Sequence, residues 1–114
     1  MLPKINRLTA TGDFKNVFGK GKTCESGIVR VKFVKNCKNF SRFGFIVSTK
    51  FYKKASKRNL IKRQLRAAVL FLFKKVKPGY DIIVWPREPA KSKDYKSIKN
   101  DLRELLTKND ILSF

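Results

Sequence analysis

A chain of 114 residues with 28 Lys and Arg against 8 Asp and Glu carries a formal net charge of +20, a self-repulsion that calls for a polyanionic partner: RNA, DNA or an anionic membrane surface. A hydrophobic fraction of 42% with ten Phe is enough for one aromatic-rich core, which excludes a wholly disordered basic tail and suggests a single domain over residues 1–114. The longest uncharged apolar run, Ala67–Phe73, is far short of the roughly 20 residues that span a bilayer, and Met1–Lys4 lacks the apolar stretch of a signal peptide.

Thr11 is placed to cap a short helix over Asp13–Phe18, with Asp13 at its positive end and Gly19 and Gly21 closing it. Phe14, Val17 and Phe18 share one face of it. Ile28–Val34 alternates, with Val29, Val31 and Phe33 on one side and Arg30 and Lys32 on the other: a strand with one apolar and one basic face. Asn36–Asn39 reads as a hairpin turn into a second strand, Phe43–Ser48. There Phe43, Phe45 and Val47 share one face, and Gly44, Ile46 and Ser48 the other.

A basic loop, Lys50–Lys57, leads into a long helix over about Ala55–Lys75. On a wheel turning about 100° per residue, Arg58, Lys62 and Arg66 stack along one edge with Asn59 and Arg63 beside them, an arc of roughly 140°. Leu60, Ile61, Leu65, Ala68 and Leu72 fall outside that arc. One face is therefore expected to be buried, and the other to be a comb of cations suited to phosphates. No acids interleave to neutralise the comb. From Ala67 onward Val69, Leu70 and Phe73 enter the same arc, which predicts a C-terminal half buried on more than one side. Asp81–Trp85 is almost continuously apolar, so a central strand is expected with Trp85 in the core, broken by Pro86 and Pro89. Ser92 or Asp94 starts a last helix to about Lys108, with Tyr95, Ile98, Leu102, Leu105 and Leu106 as its apolar stripe.

The order predicts an α/β (α+β) two-layer sandwich: a mixed central sheet with a short N-terminal helix, a long basic helix and a C-terminal helix. If the helices cover the Val29/Phe43 face, the opposite face is lined by Arg30, Lys32, Gly44, Ile46 and Ser48. The short helix would then bring Phe14 and Phe18 up as one wall. These two rings suit either the core or a base-stacking platform.

Catalytic machinery is not evident. The chain has no histidine, which removes the commonest general acid and base and most transition-metal sites. Its acids show no two-metal nuclease spacing, and there is no phosphate-cradling glycine loop. No catalytic residue and no metal ligand is assigned. Cys24 and Cys37 cannot complete a four-ligand zinc site and read as reduced thiols of a cytoplasmic protein.

The run Lys57-Arg58-Asn59-Leu60-Ile61-Lys62-Arg63-Gln64-Leu65-Arg66 resembles that of the bacterial ribonuclease P protein subunit, of the form Lys-Arg-Asn-Arg-x-Lys-Arg-x-x-Arg. The likeness covers nearly the whole chain. Leu2-Pro3-Lys4, Asn6-Arg7-Leu8 and Asp13-Phe14-x-x-Val17-Phe18 resemble the family's opening. Arg42–Ser48 is similar to its glycine-containing strand, and Asp81–Arg87 to its late strand. Leu60 stands where the family carries its second Arg, so one RNA contact is missing. The loop Phe51-Tyr52-Lys53-Lys54 lacks an expected glycine, and Lys32 replaces an aromatic.

The resemblance implies a small basic cofactor of a catalytic RNA, with a left-handed βαβ crossover that departs from the usual hand. The holoenzyme would hydrolyse the 5′ leader from precursor tRNA using Mg²⁺ held mainly by the RNA, with no small-molecule cofactor and no membrane. Lys50, Lys53, Lys54, Lys57, Arg58, Asn59, Lys62, Arg63 and Arg66 would bind the ribonuclease P RNA, Asn59 through an RNA contact or by fixing the loop. Phe14, Phe18, Arg30, Lys32, Ser48 and Arg87 would form the leader cleft. The alternatives are a small basic ribosomal-type structural RNA-binding protein and a self-sufficient nuclease.

Overall fold

The apolar run at residues 81–85 belongs in the middle of a sheet, and that is where it lies. In the computed structural model, which describes residues 2–113, the strands are β1 (Lys22–Glu25), β2 (Val29–Lys35), β3 (Arg42–Phe45) and β4 (Tyr80–Pro86). Their spatial order is β1-β2-β4-β3. β4 is antiparallel to β2, with Val31 opposite Val84, and parallel to β3, with Phe43 opposite Ile82. The helices are α1 (Thr11–Lys20), α2 (Ala55–Leu72) and α3 (Tyr95–Lys108). α2 is the crossover between the parallel strands β3 and β4, as a parallel pair requires.

The period-2 alternation divides the sheet into two faces. Val29, Val31, Phe43, Ile82 and Val84 point to one face and are buried under Ile61, Leu65, Ala68, Val69 and Leu72 of α2 and Ile98, Leu102 and Leu106 of α3. Each such side chain contributes about 1.5–3 kcal/mol on burial. The other face carries a smaller cluster of Leu8, Val17 and Ile83, flanked by Phe14, Val34, Ile46 and Trp85. α1 lies there. Gly44 lets it approach: a Cβ at that position would stand 2.6 Å from a Phe14 ring carbon.

Several expectations give way. Asn36–Asn39 is not a hairpin turn, because β4 separates β2 from β3. A strand apolar on both faces takes the middle, and the preceding loop is tied to it instead. The Asn36 amide N–H donates to the Gly79 carbonyl at 2.9 Å, and its side-chain Nδ2 donates to Asp81 Oδ1 at 2.9 Å. β1 was not anticipated; it is a short edge strand antiparallel to β2. α1 begins at Thr11, after Ala10 and with no side-chain cap, and runs on to Lys20. Gly21 closes it, its N–H donating to the Val17 carbonyl at 2.7 Å. β3 ends at Phe45, although the Ile46 N–H still donates to the Val84 carbonyl at 3.1 Å. Asp94 caps α3 by accepting the Ser97 N–H at 2.9 Å, and that bond holds its carboxyl below the usual range.

The C-terminal half of α2 is not buried all round. Leu70 and Phe71 are 42% and 65% exposed, and Leu60 in the first half is 51% exposed. α3 flanks only one side of the helix. The exposed ring of Phe71 meets Lys99, whose Nζ stands 4.2 Å from the ring centre.

One buried charge also went unforeseen. Asp81, 2% exposed, accepts from Arg42 Nε at 2.8 Å and Nη2 at 2.6 Å, while Arg42 Nη1 reaches Asp13 at 3.1 Å. The Asp81 hydrogen bonds come first among the causes that hold the Arg42 guanidinium charged beyond its ordinary range. This pair ties β3 and β4 to the first turn of α1.

Candidate nucleic-acid interface

The first half of α2 is rigid because its inner stripe, Ile61, Leu65 and Ala68, is locked in the core. Its outer face carries Lys62, Arg63 and Arg66, which with Asn59, Ala67 and Leu70 line a shallow groove along the helix. Among the described residues, none of Lys50, Lys53, Lys54, Lys57, Arg58, Lys62, Arg63 and Arg66 forms an ion pair with a carboxylate; the recorded pairs lie elsewhere. The expected comb is therefore present and uncompensated, with Arg63 and Arg66 exposed and Lys62 half-buried.

Arg58 differs from the others in turning back onto the chain: half-buried like Lys62, it donates from Nη1 to the Tyr52 and Lys53 carbonyls, both at 2.8 Å. It fixes the loop that carries Lys50, Lys53 and Lys54, while Asn59 stands exposed in the groove. Lys57 Nζ lies 5.7 Å from the Tyr52 ring centre, and the Arg66 guanidinium lies 6.0 Å from that of Phe45.

The second element is a cleft on the opposite face of the sheet. Phe18, 45% exposed at the end of α1, faces Trp85 of β4 with ring centres 6.1 Å apart. Lys32 of β2 places Nζ 5.7 Å from the Phe18 ring centre. Ile46, Ser48, Phe51 and Pro86 complete the lining. Trp85 is thus half-buried in this cleft rather than in the main core. β-pairing explains it: Trp85 is opposite Arg30, so it shares the face of Arg30 and Lys32. Phe14, by contrast, is half-buried against Gly44 and Leu8 and packs the wall from behind.

Arg30 and Arg87 sit at one end of the cleft and are already engaged. Arg30 Nε donates to Glu25 Oε2 at 2.6 Å, and Arg87 Nε lies 3.8 Å from the same oxygen. Arg87 Nη1 also donates to the Ser26 carbonyl at 2.5 Å. The Arg30 hydrogen bond holds the Glu25 carboxyl below the usual range against the opposing desolvation, with the Arg30 and Arg87 charges adding to it. The Ser26 hydroxyl in turn meets Asp101 of α3, whose carboxyl is raised mainly by burial.

The arrangement thus brings Phe18, Lys32 and Ser48 together, sets Arg30 and Arg87 beside them under the control of Glu25, and leaves Phe14 as support. Trp85, Phe51 and Glu25 are the participants that sequence reasoning missed. For Trp85 the signal was available: counting alternate residues from Ile83 places it on the cleft side.

Among the described residues, no three His, Cys, Asp or Glu side chains come together to hold a metal ion. No helix is long and apolar enough to cross a membrane among the described residues. Cys24 and Cys37 are free thiols.

Known proteins match the chain over nearly its whole length. The Ribonuclease P family model matches residues 2–110. A ribonuclease P protein component of Pseudanabaena is 34% identical over 113 residues, covering 98% of this chain and 97% of that one. One from Alkaliphilus oremlandii is 35% identical over 109 residues, covering 96% and 95%. Among solved structures, the Staphylococcus aureus RNase P protein superposes with a TM-score of 0.85 at 28% identity, covering 95% of this chain and 98% of that one. The Thermotoga maritima RNase P protein gives 0.79 at 31% identity, covering 86% and 92%.

Proposed function

Because the chain belongs to the ribonuclease P protein family, we propose that it acts as one RNA-binding domain that holds the catalytic RNA with α2 and its leading loop, and the 5′ leader of precursor tRNA in the Phe18–Trp85 cleft. The partner is ribonuclease P RNA, and the substrate of the assembly is precursor tRNA. The protein contributes no catalytic group: hydrolysis of the leader bond belongs to the RNA, with Mg²⁺ held mainly there. The assembly works in the cytoplasm, with Cys24 and Cys37 reduced.

What the residues do follows from electrostatics. Two polyanionic RNAs repel each other. Cations fixed on a stiff helix displace condensed counterions and screen that repulsion, so association is favoured by several kcal/mol that depend on salt. Lys50, Lys53, Lys54, Lys57, Lys62, Arg63 and Arg66 present their charges to phosphate, with Asn59 between them; Arg58 acts mainly by fixing the loop. In the cleft, Phe18 and Trp85 offer ring faces for unpaired bases, a stacking worth about 1–3 kcal/mol per base. Lys32 stands beside the Phe18 ring, Ser48 lies exposed along the lining, and Arg30 and Arg87 lie at one end, while Phe14 holds the wall. Mature tRNA has no leader, so these contacts favour substrate over product.

The observation that carries this reading is the uncompensated comb on α2 in a chain that pairs other cations with its few acids. A structural ribosomal protein needs no stacking cleft, and the family match speaks against that alternative. The test is reconstitution with ribonuclease P RNA at low Mg²⁺. The wild-type protein is expected to restore precursor-tRNA cleavage, and Lys62→Ala/Arg63→Ala to restore far less. No rescue by wild type, equal rescue by both, or cleavage by the RNA-free protein would overturn the proposal.

A further inference from the structure

One surface cation beside these two regions is already engaged by the protein's own groups. Lys91 lies in the short 3-10 turn Glu88–Ser92 after β4. Its Nζ is 2.7 Å from Glu88 Oε1, 4.9 Å from the Phe51 ring centre and 5.0 Å from that of Tyr52. The two rings meet edge to face, 5.0 Å apart at 84°. Tyr52 also belongs to the basic loop: Arg58 holds its carbonyl and Lys57 stands over its ring. Phe51 also belongs to the cleft, which it lines with Phe18 and Trp85, its N–H donating to Ser48 Oγ at 3.2 Å. A single corner of two aromatic rings is therefore shared by both RNA-binding regions.

An ammonium near two aromatic rings and bonded to a carboxylate restrains all three groups. Resting on the function proposed above, we propose that Lys91 is a positioning residue. By clamping the Phe51–Tyr52 corner it sets where the loop of Lys50, Lys53 and Lys54 stands relative to the leader cleft. The grip on the catalytic RNA and the grip on the leader are thereby coupled. Lys91 itself contacts neither RNA. Without it the loop cations sample a wider volume, and each phosphate contact must first order them.

The test uses the full chain with ribonuclease P RNA, precursor tRNA and mature tRNA. Lys91→Met keeps length and removes charge; Lys91→Arg keeps a cation over the rings. Lys91→Met is expected to weaken RNA binding about fivefold and to narrow the preference for precursor over mature tRNA about as much, with Lys91→Arg within about twofold of wild type. In a Phe51→Leu/Tyr52→Leu background, whose folding is checked by circular dichroism, Lys91→Met adds nothing further to the RNA-affinity loss, because the corner it acts through is gone. Should that double variant unfold, Tyr52→Leu alone is used, and the Lys91→Met loss should shrink there rather than multiply in full, since only the Phe51 ring remains to hold. Losses that multiply would mean direct phosphate contact and overturn the inference, as would a failure of Lys91→Arg to rescue. A silent Lys91→Met beside a binding wild type sinks this inference alone. A wild type that does not bind the RNA sinks the proposed function and this inference together.

Discussion

Along α2 and its leading loop the cations stand without carboxylates, whereas around the cleft Arg30 and Arg87 are held by Glu25 and Lys32 lies against Phe18. Under the proposed function the two regions face different problems. Phosphates of a folded RNA are many and widely spaced, so free charge on a stiff helix serves best. An unpaired leader offers bases as well as phosphates. Its cleft needs ring faces and cations kept from collapsing onto them or onto each other. The difference says that the helix should respond to charge and salt, and the cleft to shape and stacking.

The largest effect should come from reversing the comb. Lys62→Glu/Arg63→Glu/Arg66→Glu is expected to weaken ribonuclease P RNA binding by about a thousandfold near physiological salt, measured by filter binding, with the fold unchanged by circular dichroism. Retained binding would mean that the uncompensated charges are only a solvated surface.

The cleft should break along a different line, and its two phenylalanines should separate. Phe14→Ala removes a ring packed against Gly44 and Leu8, so a loss of about 2–3 kcal/mol in folding stability is expected by denaturant titration. Phe18→Ala should cost well under that in stability, yet reduce the preference for leader-bearing substrate about tenfold. Equal stability losses would show that both rings are merely core.

Smaller effects sharpen the contrast. Glu25→Gln frees Arg30 and Arg87, so leader binding should strengthen about two- to threefold at low salt and weaken more steeply as salt is added. The wild type should not mimic this on mild acidification. A depressed carboxyl keeps its pairing above the ordinary carboxylate range and loses it only as pH falls through the lowered value, so leader affinity should be flat from pH 8 to 5.5 so far as Glu25 is concerned. Leu60→Arg, which restores the family residue at an exposed position beside the comb, should tighten RNA binding by about twofold. No change there would place Leu60 outside the RNA footprint.

Local pattern carried most of the fold into view. The alternation of Val29, Val31 and Phe33, the apolar run before Pro86, and the stripe of α3 each specify an element and its inward face. The pairing of distant strands was less visible. Turn residues at Asn36–Asn39 suggest a neighbour in sequence, but β4 wins the central position because it can bury both faces. β1 was hidden because its residues Lys22, Thr23 and Glu25 are exposed at an edge. The wheel grouped Lys62, Arg63 and Arg66 on one face of α2, and they share one groove along it. It could not show that Arg58 turns back to two loop carbonyls, that Arg30 meets Glu25, or that Arg42 meets Asp81 across 39 residues. Those depend on tertiary approach, which composition and period do not encode.

The central claim is that the α2 cations meet RNA phosphates directly, and the salt dependence of affinity reads this most directly. Log affinity for ribonuclease P RNA should be measured against log salt for the wild type and for Lys62→Ala/Arg63→Ala/Arg66→Ala. The variant's slope should be shallower by about two to three, close to one for each phosphate contact removed. Parallel lines for the two proteins would contradict it.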